Sequence, residues 1–189
     1  MKKYELTAEF IEQWGKKLFR IKALISFGSV EAGELGGYVE KEDNLAQDGD
    51  AWVCDNAWVC DNARVYGNAW VYGDARVYGN ARVCDNVMVC DNAWVCDNAW
   101  VCDDADYLLI GRIGSRFSFT TFFKNKDKGI TVSCGCFLGT IAEFRAKVTD
   151  THGNNKHAKM YNVAADMAEL QILGEEYFDK LNTNKSEPF

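Results

Sequence analysis

The sequence predicts a mainly β protein: a left-handed parallel β-helix of about three coils, a β N-terminal cap and a small α+β C-terminal domain. Three observations lead there. A six-residue unit, Ala-x-Val-x-(Asp/Gly)-(Asn/Asp), runs nine times without a gap from Ala51 to Cys102, with valine at 53, 59, 65, 71, 77, 83, 89, 95 and 101. The period stops on both sides, where ordinary strand and helix patterns take over. Proline occurs only at Pro188, so these changes of pattern set the expected boundaries at 1–50, 51–106 and 107–189.

Within the unit, alanine and valine lie two residues apart and share one face of an extended strand. The residue between them points the other way, and the Asp/Gly-Asn pair is turn chemistry. Each hexapeptide is therefore one short strand and one corner, and three of them close a coil of eighteen residues. Residues eighteen apart then stack, which puts the valines in three inner columns. The outer columns read Trp52, Trp70, Met88; Trp58, Arg76, Trp94; and Arg64, Arg82, Trp100. Such stacked side chains steady a wall through aromatic and cation–π contacts, or offer a binding face. We take Trp52, Trp58, Trp70, Trp94 and Trp100 as candidate partner-binding residues.

The corners carry Asp55, Asp61, Asp85, Asp91, Asp97 and Asp103. Turn formation accounts for them, and a row of carboxylates also imitates the charge of a phosphate backbone. Charge placement bears on this. Residues 40–106 hold four basic and fourteen acidic side chains, whereas the flanking segments are mildly positive. An acidic rod does not grip nucleic acid or an anionic membrane, but suits a basic protein partner such as a nucleic-acid-binding complex. Of the eight cysteines, six follow repeat valines and read as small wall residues. Cys84 and Cys102 stack directly, but parallel Cβ vectors are expected to keep them unbridged.

At the N-terminus, "KKYELT" and "KKLFRIKAL" read as strands joined around Gln13 to Gly15. The start has no apolar stretch of a signal peptide and the chain no run of eighteen apolar residues, so a cytosolic protein is expected. The order Tyr-x-Leu-Thr, Leu-x-Arg-Ile-x-Ala-Leu, Phe-Gly-x-Val-x-Ala-Gly-x-Leu-Gly-Gly-Tyr-Val-Glu and Asn-Leu-x-x-x-Gly-Asp-Ala-Trp-Val resembles the cap of hexapeptide-repeat proteins from bacteria and their prophages. Some of those carry a transferase label. The resemblance spans Tyr4 to about Val101 and implies a left-handed β-helix, a link to mobile elements and no catalytic residue to carry over.

After Asp106, "YLLIGRI", "FSFTTFFK" and "GITVSCGCF" read as three strands. A helix from Thr140 to Asp150 opens with a capping box, Thr140 and Glu143, and a second from Lys156 to Leu173 places Met160, Val163, Met167 and Leu170 on one stripe. This part also resembles the C-terminal module of prophage-type repeat proteins. Cys134 and Cys136 on one strand face, with His152 and His157 in the next loop, could hold a structural zinc ion, or be buried cysteines and a polar loop. "GRIGSRFS" reads as an anion-binding turn or a plain connection.

The function these readings imply is binding without catalysis. The sharpest form is a phage-type accessory protein that inhibits a host defence complex, anti-CRISPR-like, by nucleic-acid mimicry. A structural or virion module, dimeric or trimeric, and a divergent hexapeptide acyltransferase are the alternatives. The last would need a histidine in the coils, where there is none.

Overall fold

The computed structural model describes residues 1–175, so the last fourteen residues of the expected 107–189 segment lie outside the described residues. Among the described residues no helix is long and apolar enough to cross a membrane. Two compact units form, Met1–Asp104 and a second that begins at Ala105.

The first unit opens with a hairpin, β1 (Tyr4–Gln13) and β2 (Lys16–Ala23), followed by β3 (Leu35–Val39). Trp14 and Gly15 form its tip with φ of 52° and 74°, the left-handed pair that suits a tight hairpin. The repeat then supplies nine two-residue strands: β4 (Trp52–Val53), β5 (Trp58–Val59), β6 (Arg64–Val65), β7 (Trp70–Val71), β8 (Arg76–Val77), β9 (Arg82–Val83), β10 (Met88–Val89), β11 (Trp94–Val95) and β12 (Trp100–Val101). They stack in parallel as three walls, β4-β7-β10, β5-β8-β11 and β6-β9-β12. Trp52↔Trp70, Val59↔Val77 and Arg64↔Arg82 confirm the eighteen-residue register. The repeat alanines and valines are buried to 2% exposure or less, so the triangular interior is the core.

The solenoid has about four turns, not three. β3 pairs in parallel with β5, and Leu45 bridges Val65, which adds a turn before the first hexapeptide. The period hides it because Leu45 and Val53 are eight residues apart, whereas the repeat spacing is six. Two extra residues break the pattern but not the stack.

Corner chemistry follows from stacking. Asp55, Asp61, Asp85, Asp91 and Asp97 all take φ of 56–60°, and Gly67, Gly73 and Gly79 take 70–72° in the coil between them. A Cβ on Gly73 or Gly79 would sit 3.0 or 2.8 Å from the backbone nitrogen of Asp91 or Asp97 in the next coil. The freed space is used. Asp55 and Asp61 accept hydrogen bonds from the amides of Gly73 and Gly79 at 3.0 and 3.1 Å. Asparagine ladders, Asn62 to Asn80 at 3.2 Å and Asn68 to Asn86 at 3.0 Å, run beside them.

A solenoid end exposes core and unpaired carbonyls, and here the N-terminal residues close it. The Lys3 ammonium, almost fully buried, donates to the carbonyls of Asp48, Gly49 and Ala51 at 3.3, 3.2 and 2.9 Å and lies 4.9 Å from the Phe27 ring. Burial pulls its pKa down to about 8, against the pull of Asp48 and Asp50. The Tyr4 hydroxyl lies 2.8 Å from the Glu42 and Leu45 carbonyls. Asn44, fully buried, donates to the Asp61 and Ala63 carbonyls at 3.2 and 2.8 Å.

The second unit is a four-stranded antiparallel sheet, β13 (Tyr107–Ile113), β14 (Ser118–Lys124), β15 (Ile130–Cys134) and β16 (Phe137–Thr140), with α1 (Ile141–His152) and α2 (Lys156–Leu173). The segment expected as one strand, 129–137, is a hairpin instead, because Gly135 turns at φ 60° and Cys134 pairs with Phe137. The expected capping box of α1 is present, with Thr140 Oγ1 accepting from the Glu143 amide and Glu143 accepting from the Thr140 amide. Phe122, Val132, Phe144, Val148, Tyr161 and Ile172 form its core. Arg145 of α1 ties α2 by bonds of 2.7 Å to Asp166 and to buried Glu169.

Two consequences are measurable. Gly79→Ala is expected to lower unfolding free energy by about 2 kcal/mol, because it strains a left-handed corner and crowds the next coil. Asp97→Gly, in the same column, should cost less than about 1 kcal/mol in urea denaturation. Between pH 8 and 10.5 the unfolded Lys3 amine binds a proton that the folded one does not, so its contribution to stability rises with pH in that window. The stability of wild type minus that of Lys3→Met should therefore rise across it by at most about 3 kcal/mol. A flat difference would mean that the buried amine keeps its ordinary affinity.

Candidate functional site

The three walls differ in what the N-terminal residues leave uncovered. On the first, Trp52 is fully buried beneath Phe27 and Tyr4, at ring distances of 5.3 and 6.3 Å. On the second, Trp14 of the hairpin tip folds over the solenoid and meets Trp58, Tyr78 and Trp94 edge-on at 4.8, 5.0 and 6.2 Å. Arg76 lies between Trp58 and Trp94, 5.6 and 4.7 Å from their rings. Trp52 and Trp58 are thus cap-covered core and not the partner surface expected of them. The hairpin packs along the wall instead of ending above it, and a strand pattern gives no sign of that.

Trp70 and Trp94 remain half-buried, and the third wall is the most open. Trp100 is 43% exposed with the Arg82 guanidinium 5.2 Å from its ring, and Met88 on the first wall is 53% exposed.

The corner aspartates keep two roles. Asp55, Asp85, Asp91, Asp97 and Asp103 are exposed. Asp61 is half-buried and paired with Lys16, which also reaches Glu40 at 3.2 Å, and the bond to Lys16 holds the Asp61 carboxyl below its ordinary pKa. Asp103 does not take the left-handed corner conformation of the other five. The middle coil carries glycine at all three corners, so carboxylates stacked eighteen residues apart do not occur there. Two of the three rows, Asp55 with Asp91 and Asp61 with Asp97, have a gap of one coil, whereas Asp85 and Asp103 are eighteen residues apart with no gap.

Three solenoid thiols, Cys54, Cys60 and Cys96, are held in their protonated, weakly nucleophilic form. Burial, with help from neighbouring carboxylates, pushes Cys54 and Cys60 up to about 12, and burial with Asp97, against a hydrogen bond from Tyr78, pushes Cys96 up to about 11. Cys84 and Cys102 depart from expectation: a disulfide joins them across adjacent coils, with Cα atoms 4.6 Å apart. That spacing lies within the range a bridge spans, and the two side chains lean together along the stacking direction. Their donor atoms with those of Asp85, and those of Glu40, Cys60 and Asp61, are the groups of three or more potential metal ligands that converge within 4.8 Å among the described residues. In the first group the sulfurs bind each other, and in the second Lys16 supplies the positive charge.

In the second unit a cavity of about 190 Å³ is lined by Arg116, Cys134, Cys136, Lys147, His152 and Tyr161, with Phe137, Phe144 and Val148 among its apolar residues. Cys134 is half-buried and accepts from Thr120 Oγ1 at 3.2 Å; Cys136, in the turn, is exposed. His157 does not line this cavity, although its ring lies 5.8 Å from that of His152. No three of the four expected zinc ligands bring their donor atoms within 4.8 Å of one another. The reason is the turn at Gly135, which takes Cys136 off the strand face that period two assigned to it. The cavity combines three basic side chains and no carboxylate with an aromatic floor, a lining that suits a small anion with an apolar body. Arg116 of "GRIGSRFS" belongs to it. At Gly114 in the same turn, a Cβ would overlap the Tyr161 hydroxyl, so glycine there is a packing requirement.

Comparison with known proteins bears on the coils. Residues 57–73, 69–85, 75–90 and 81–97 match the family model described as the YdcK β-solenoid repeat. The match supports a repeat β-solenoid and covers neither the cap nor the second unit. No curated protein matches the chain.

Sequence reading missed Trp14, Lys3 and the disulfide. Trp14 next to Gly15 was legible as a hairpin tip, but its contacts depend on how the hairpin bends. The cysteines can be checked directly. Alkylation of the denatured, unreduced protein should label six thiols, and reduction should raise this to eight. Cys136 should react first in the folded state. Eight labelled thiols without reductant would remove the Cys84–Cys102 bridge.

Proposed function

We propose that the solenoid is a non-catalytic, acidic binding scaffold that engages a basic macromolecular partner. In its sharpest form it is an accessory protein of the phage type that occupies the nucleic-acid site of a host complex. One observation carries this reading. Of the ten basic residues in Met1–Asp104, seven are turned to carboxylates, carbonyls or rings within the unit. Lys2 pairs with Glu42 and Lys16 with Glu40 and Asp61; Lys3 is buried on carbonyls; Lys17 lies over Phe10; Arg20, Arg76 and Arg82 lie over Tyr38, Trp58 with Trp94, and Trp100. The corner aspartates Asp55, Asp85, Asp91, Asp97 and Asp103 are exposed on a stiff frame. Such a surface speeds encounter with a basic patch and repels nucleic acid.

The gaps between Asp55 and Asp91 and between Asp61 and Asp97 favour a protein patch read at separated points over a close copy of a phosphate strand. The acyltransferase alternative has no histidine in the coils to serve as general base, since His152 and His157 both belong to the second unit. Capture from a bacterial lysate tests the proposal. The tagged protein should retain nucleic-acid-binding proteins that high salt or added duplex DNA releases. Changing Asp55, Asp85, Asp91, Asp97 and Asp103 together to Asn should lower that capture at least tenfold while leaving the circular dichroism spectrum unchanged. Equal capture by the neutralised protein would sink the proposal.

A further inference from the structure

α2 is apolar on two faces. Ala158, Tyr161, Ala164, Ala165, Ala168 and Ile172 are buried within the second unit. The stripe that periodicity picks out, Met160, Val163, Met167 and Leu170, lies on the other side and is 42, 57, 52 and 45% exposed. Lys159, Met160, Val163, Ala164 and Met167 line a groove of about 380 Å³ with Ile110 and Ile113 of β13. Three polar side chains of the helix are used elsewhere: Asn162, Asp166 and Glu169 all bond Arg145 of α1. A polar stripe of Lys159, Asn162, Asp166 and Glu169 separates the two apolar faces, and an exposed apolar stripe opposite a buried one is a face that a further layer would cover.

We propose that this face is a self-association surface, occupied by α2 of a second copy of the chain in a two-fold pair. The spacing carries the choice of occupant. Residues 160, 163, 167 and 170 follow each other at three, four and three, the a/d spacing of a seam between paired helices, and such a seam is complementary to itself. No seam position is charged. Of the flanking positions, Lys159 and Asp166 are opposite in sign, and Asp166 is already held by Arg145 at 2.7 Å, so no row of like charge opposes pairing. Two flexible methionines let the seam adapt to its partner. The area fits as well. Four half-exposed side chains with the β13 isoleucines present on the order of 400 Å² of apolar surface. That is most of the apolar share of about 600–800 Å² per partner at the smaller end of stable interfaces.

Sedimentation velocity of the full chain over a concentration series tests this. Wild type should sediment as a dimer, and Val163→Glu with Met167→Glu should weaken association by about a hundredfold or more, because pairing would bury uncompensated charge. Both positions are more than half exposed, so the helical circular dichroism signal should not change; Val163→Ala with Met167→Ala, which adds no charge, should weaken association to a smaller degree. A wild-type monomer at the highest soluble concentration would overturn the proposal. So would a dimer or trimer that the glutamates leave intact, or a full-length monomer that dimerises only when residues 176–189 are removed, since that would assign the face to an occupant within the chain.

Discussion

Everything in the first unit depends on one constraint: successive coils must stack in register so that each strand amide meets a carbonyl seventeen residues on. Trp52 to Ala69, Trp58 to Ala75 and Arg64 to Ala81 make these bonds at 2.9–3.0 Å, and Asn56 to Gly73 continues the ladder through a corner. A ladder that runs through corners leaves no room for corners of different shape. Each must turn by a left-handed residue at the same place, which selects Asp or Gly, and the coil that carries glycine receives the carboxylates of the coil before it. Repetition is thus a geometric requirement. A side chain that fails at one corner fails against the next coil as well as its own.

Short solenoids have a large share of their core at the ends, and this one invests its first fifty residues there. The hairpin extends the second wall's sheet, so hydrogen bonding does not stop at β3. Its tip then doubles back as Trp14 and Lys16, one capping three aromatic rings and the other joining Glu40 to Asp61. Lys3 meets the carbonyl oxygens at the turn into the first hexapeptide, a role for which a buried ammonium is suited because it can serve three acceptors at once. The same packing removes Trp52 and Trp58 from the surface. Capping and recognition compete for one set of aromatic side chains, and on two of three walls capping takes the first coil.

The surface that remains is divided by chemistry between the two units. The first unit engages seven of its ten cations internally and presents exposed carboxylates at its corners, the basis of the proposed recognition of a basic partner. The second unit gathers Arg116, Lys147 and His152 around a cavity with an aromatic floor, and separately exposes an uncharged helical seam. If the solenoid binds and α2 pairs as proposed, the chain is a bivalent binder. Pairing through the second unit would present two scaffolds to one target, and the gain in affinity from such linkage requires no new contact at the scaffold itself.

The hexapeptide alone determined the coil, its three walls, the buried Ala and Val columns and the Asp/Gly corners, because these follow from local period and backbone sterics. The capping box of α1 and the extent of α2 were legible for the same reason. Tertiary structure decided what lies far apart in sequence. The fourth turn was hidden by two inserted residues, the burial of Trp52 and Trp58 by a hairpin whose bend no local pattern encodes, and the Cys84–Cys102 bridge by side-chain rotation within a known stack. The zinc set failed at a single glycine, since a positive φ at residue 135 turned a strand into a hairpin. The apolar stripe of α2 was read correctly as a stripe, but which of two apolar faces turns inward is settled by packing: four small alanines let α2 approach the rest of its unit closely, and the bulkier Met, Val and Leu side chains are left outside.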